Sequence, residues 1–131
     1  MLRKHSDIID RLTDRVRTYY NTINCRRMFS VYSMVDMDMF NEFGGVGNWL
    51  QGNLPILDAF GNAYGKIEVD NVIMDVHFDE RSPFYNGRDY AIGRSECTTT
   101  VGKKIFKEEW VMSNRGFWVN RNITPKEINS E

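Results

Sequence analysis

The hydrophobic period changes once along this chain, near Lys66, and that change divides it into two kinds of structure. Before Lys66 apolar residues recur at three- and four-residue spacing, the mark of a helix face; after it they alternate, the mark of a strand. Ile8, Ile9, Leu12, Val16, Tyr19, Tyr20 and Ile23 fall on one face of an amphipathic helix. Ser6 is placed to cap it, and Asp7 puts negative charge where the helix dipole favours it. Asp7 with Arg11, and Asp14 with Arg17, can pair along its solvent side. Asn21 and Asn24 are weak helix formers, so the helix is predicted to end near residue 23.

Residues 26–60 are less regular. Met28, Phe29, Tyr32 and Val35 share a face in a short second helix, and Asp36 or Asp38 can cap a third element carrying Met39, Phe40 and Phe43. Val46, Trp49, Leu50, Leu54, Leu57 and Phe60 return to helical spacing, yet Gly52 and Pro55 are predicted to break or kink that stretch. Beyond Lys66, Val72, Met74, Val76 and Phe78 alternate with Ile73, Asp75, His77 and Asp79. Ile67 and Val69 are in the opposite phase, which calls for a bulge near Asp70-Asn71. Ser82-Pro83 and Asn86-Gly87 mark a reversal, residues 89–101 and 104–113 read as strands, and Ser113–Gly116 turns into Phe117–Ile123. Residues 124–131 read as a frayed polar tail. Consecutive strands joined by turns make an antiparallel meander that must cover one face, and the helical half is the cover at hand. The expected class is α+β in a single domain over 1–131. Helices of 6–62 pack on a curved, cone-like sheet of four or more strands in 66–123.

Composition narrows the function. Seventeen basic and eighteen acidic residues leave a net charge of −1, without the positive surplus that a nucleic-acid binder needs. No apolar run reaches the length of a membrane span, and Met1–Asp10 does not read as a signal peptide; a signal removed beforehand would leave the same sequence, so the compartment stays open, with a lean to the cytoplasm. Gly44-Gly45-Val46-Gly47 lacks dinucleotide-loop spacing, and Gly61–Lys66 lacks the spacer and hydroxyl of a phosphate loop. No cofactor or metal is expected. Cys25 and Cys97 read as two semi-buried small hydrophobes, with a disulfide or a reactive thiol as the alternatives. Arg88, Arg94, Lys103, Lys104, Lys107, Arg115 and Arg121 interleave with Glu96, Glu108 and Glu109, the mixed-sign pattern of a soluble sheet surface.

The order of parts carries a resemblance. A first helix ends in Val16–Asn24, further helical turns and a meander follow, and the last hairpin joins Phe106–Met112 to Gly116–Arg121, with Trp110 and Trp118 on its two strands. In this the chain resembles the nuclear transport factor two-like (cystatin-like cone) superfamily. The resemblance implies a bent sheet wrapped around the first helix, with a pocket at the wide end of the cone. It also implies a choice between small enzymes of isomerase, dehydratase or cyclase type and non-catalytic adaptors or dimerisation modules.

Two sets of residues carry the functional expectation. Asp75, His77 and Asp79 form a row on one strand face, where a carboxylate can orient an imidazole as a general base, or where the row is simply solvated. Tyr19 or Tyr20 can donate a hydroxyl into a pocket, and Trp110 with Trp118 can make a cross-strand pair that, if it points outward, marks a contact surface. The leading expectation is a non-enzymatic binding or assembly module. It would associate through its sheet face with a protein partner or with itself as a homodimer, with room for a small molecule. The alternative is a pocket enzyme with His77 as base and Asp75 or Asp79 as its orienter.

Overall fold

The computed structural model describes residues 5–42, 44–78, 88–113, 115–122 and 124–128, and for 5, 6, 28, 29 and 32 the backbone alone. Helix α1 runs His5–Asn24, starting one residue before the expected cap. Its predicted face is the buried one: Leu12, Val16, Tyr19, Tyr20 and Ile23 are all closed to solvent. The helix ends in a double hydrogen-bonded cap, with Arg26 N–H donating to the Ile23 carbonyl and Arg27 N–H to that of Thr22. Arg26 takes the left-handed conformation (φ 58°) that such a cap demands, a position where glycine is usual. Its guanidinium lies over Gly61 and donates to Asn62 Oδ1, so a Cβ at Gly61 would push this side-chain end aside. Asn24, a poor helix former, has a specific task at this end. Its side-chain amide donates to the Ile67 carbonyl (2.7 Å) and accepts from the Ile67 N–H (2.9 Å), standing in for a neighbouring strand.

Helix α2 (Met28–Val31), a 3-10 turn (Tyr32–Met34) and helix α3 (Met37–Glu42) carry Val31, Met34, Met39 and Phe40 into the core, and Val35, between the turn and α3, joins them. Phe43 lies outside the described residues. Helix α4 (Val46–Tyr64) is continuous, contrary to the expected break at Gly52 and Pro55. Trp49, Asn53, Leu57 and Gly61 recur every fourth residue along its buried face and anchor both halves. Pro55 and Gly52 stand on the exposed side, where packing on the opposite face outweighs their local penalty.

Strands β1 (Ile67–His77), β2 (Tyr90–Thr99), β3 (Gly102–Met112) and β4 (Trp118–Asn120) form an antiparallel sheet in that order. The predicted bulge is there: register slips between Val69 and Asn71. The tail is not frayed at its start. Lys126–Glu127 forms β5 on the edge of β3, held by Glu127, which accepts from Tyr64 Oη and pairs with Lys104. Helix α1 crosses the inner face of the sheet, and one core joins it to α2–α4 and to Val72, Met74, Val76, Phe106, Trp110 and Trp118. Gly93 lets β1 and β2 approach closely there, because a Cβ would stand 2.1 Å from the Ile73 carbonyl oxygen. No described helix is long and apolar enough to cross a membrane.

Candidate functional site: two faces of one sheet

Strand register sorts the side chains into rows. On the outer face, away from the helices, the pairings align Ile73–Arg94–Lys107–Lys126, and two residues along the strands Asp75–Ile92–Glu109. Arg94, Lys107 and Lys126 are exposed, in neighbouring positions about 5 Å apart, and none makes an ion pair with a described carboxylate. Like charges set side by side across strands cost stability, so this basic row does not serve the fold. Beyond it lies a third row, Asn71–Glu96–Ile105, in which Asn71 donates to Glu96. Apolar surface is interleaved: Ile73 is 36% exposed, and Ile92 and Ile105 are half-buried. At one end of the face His77 stacks on Tyr90 (ring centroids 4.7 Å, planes 14° apart), and Tyr90 packs on the buried Val111 and Val119.

The inner face holds a different group. Phe106, Glu108 and Trp110 project in turn toward α1, and Glu108 is fully buried. One carboxylate oxygen accepts the Trp110 Nε1–H at 2.9 Å. The other oxygen, the Tyr20 hydroxyl and the Ser95 hydroxyl are buried with no well-formed hydrogen bond. Burial without a cation pushes the Glu108 carboxyl up to about 7, although the nearby Ser95, Trp110 and Tyr20 donors hold it down in part. Burial and the same carboxylate drive the Tyr19 and Tyr20 hydroxyls upward, and push the Cys97 thiol up to about 12.

A second buried acid lies beside the sheet. Asp36 accepts two bonds from Arg88 (3.0 and 3.1 Å) and one from Arg121 (3.2 Å), while Arg88 reaches on to Asp38 and Arg121 to Glu42. Asp36 N–H also donates to the Asn120 carbonyl, which fastens the start of α3 to β4.

The residues singled out from sequence are spread over both faces. Asp75 and His77 are exposed on the outer face, turned away from Tyr19 and Tyr20, and Asp79 lies outside the described residues. The convergence in a pocket that a His77 base needs is therefore not present among the described residues. Tyr19 and Tyr20 are core, Tyr19 meeting Trp110 edge to face at 5.6 Å and Tyr20 stacking on Phe106 at 5.9 Å. Trp110 and Trp118 are not an outward pair: both indoles are buried on the inner face, and Trp110 stands opposite Asn120. Cys25 is exposed, Cys97 buried, and both are free thiols. Glu108 and Ser95 are the residues that reading the charges along the chain missed. The signal was present in Phe106-Lys107-Glu108-Glu109-Trp110, where strand alternation puts Glu108 on the same side as two aromatics.

Among the described residues no group of histidine, cysteine and carboxylate side chains is arranged to hold a metal ion. An open groove of about 440 Å³ runs between α1 and β1, lined by Arg17, Asn21, Asn24, Lys66 and Glu68 among others. The chain matches no protein-family model, no curated protein and no solved structure.

Proposed function

We propose that this protein is a non-enzymatic binding module that associates with a second copy of itself through the outer face of its sheet. The observation that carries the reading is the order of the charge rows: Asp75–Ile92–Glu109 lies beside Ile73–Arg94–Lys107–Lys126. A two-fold axis running along the rows, midway between them, lays the acidic row of each copy on the basic row of the other. Self-complementarity of this kind is what a symmetric dimer requires. It also sets carboxylates of the second copy over Arg94, Lys107 and Lys126, which make no ion pair with a described carboxylate of their own chain.

Area supports the same conclusion. Strands of 10–11 residues present a face about 30 Å long and 20 Å wide, roughly 600 Å² per copy. That is near the lower end of stable interfaces, so charge matching rather than area decides the partner. Ile73 in the basic row and Ile92 in the acidic row supply apolar contact, Ile105 adds to it from the next row, and the His77–Tyr90 stack borders the face. The open α1–β1 groove can take a small polar molecule at most as an accessory.

Light scattering on the full chain over a dilution series tests the proposal. The expected mass is twice 15.4 kDa, falling toward the monomer as salt rises. A monomer at low salt and high protein concentration would overturn it.

A further inference from the structure

We infer that a single proton on Glu108 sets how firmly α1 is seated on the sheet. The cluster ties three elements together: Tyr20 comes from α1, Ser95 from β2, and Glu108 with Trp110 from β3. All four side chains are buried: Glu108, Ser95 and Trp110 have no exposed surface and Tyr20 has 1%. The titratable groups that bear on it are Tyr19 and Tyr20 from α1 and Cys97 from β2, none of which can bring positive charge. No described ion pair involves Glu108.

The hydrogen-bond inventory then gives two arrangements. Without its proton, Glu108 is an acceptor only. One oxygen holds the Trp110 N–H, and the other needs the Tyr20 and Ser95 hydroxyls turned toward it. With its proton, that second oxygen becomes a donor to one of those hydroxyls, and the buried charge is gone. In the structure neither set of bonds is well formed, so a small displacement of Tyr20 makes or breaks it. Tyr20 moves only with α1, because its ring is stacked on Phe106 and set edge-on against Tyr19, which itself meets Trp110. The protonated carboxyl fits the seated helix. An unpaired buried carboxylate does not, and it favours loosening of α1 with entry of water.

Nuclear magnetic resonance of the intact chain between pH 5 and 9 tests the inference through the Trp110 indole N–H, which donates directly to Glu108. The expected result is a titration of that signal with a midpoint near 7. The α1 amides should follow the same curve, losing hydrogen-exchange protection relative to the amides pairing β2 with β3. In Glu108→Gln both responses should vanish. A flat Trp110 signal in the folded wild type, or the same titration surviving in Glu108→Gln, overturns the inference. Should Glu108→Gln not fold, Ser95→Ala serves instead. Removing a donor to the carboxylate should raise the midpoint, and an unmoved midpoint contradicts the role given to the cluster.

Discussion

Glu108 and Glu109 are neighbours in sequence and lie on opposite faces of one sheet, where their charges meet different fates. Glu108 is sealed among aromatic rings with no cation to answer it. Glu109 lies in the acidic row of the outer face, next to the basic row of Arg94, Lys107 and Lys126. A third carboxylate sharpens the contrast: Asp36 is as closed to solvent as Glu108, yet two guanidinium groups hold it. Burial alone therefore does not decide what a carboxylate does here. The partner decides. Paired inside, the charge fastens elements together; unpaired inside, it becomes a proton site; outside, it joins a row of surface charge.

The largest effect should come from breaking the paired acid. Asp36→Ala leaves Arg88 and Arg121 facing each other with no shared counter-ion, and should cost about 3–5 kcal/mol in a urea denaturation. Next is the unpaired acid. A carboxyl moved from 4.5 to about 7 on folding keeps its proton longer in the native state. Stability should thus be highest below about pH 4.5 as far as this group is concerned, fall through the window up to about 7, and be lower by about 3 kcal/mol beyond it. Glu108→Gln should flatten that slope in thermal melts and leave the protein more stable than wild type at pH 8. A slope unchanged by the substitution would place the titrating group elsewhere.

Gly93→Ala comes third, at about 1–3 kcal/mol, because its methyl group meets the Ile73 carbonyl and drives β1 from β2. It should be visible as faster hydrogen exchange along β1. The smallest effect on folding is expected on the outer face: Arg94→Glu should change stability by less than about 0.5 kcal/mol in the monomer.

Periodicity made much of this fold legible. The face of α1, the bulge after Val69 and the meander all follow from spacing alone. What escaped was set by partners distant in sequence. Pro55 stays in a helix because Trp49 and Leu57 are gripped by residues that local spacing does not reveal. Lys126–Glu127 pairs with β3 because Tyr64 and Lys104 both reach Glu127. The site was less legible than the fold. His77 with Asp75 has the residue types of a catalytic pair, and only the direction of the helical cover puts it on the outer face. Glu108 has the residue type of surface charge, and only its register between Phe106 and Trp110 puts it inside. Trp110 and Trp118 follow the inner face for the same reason, where their bulk closes the core.

The central claim, that this sheet face binds a second copy by matching rows of charge, is tested most directly by a reversal cycle read as mass in solution. Lys107→Glu should turn the dimer into monomer at moderate salt, and adding Glu109→Lys should bring the dimer back, since the two-fold axis lays these two β3 positions of one copy on each other's counterparts in the second. A wild type that is monomeric throughout, or a Lys107→Glu dimer as tight as the wild type's, would contradict it.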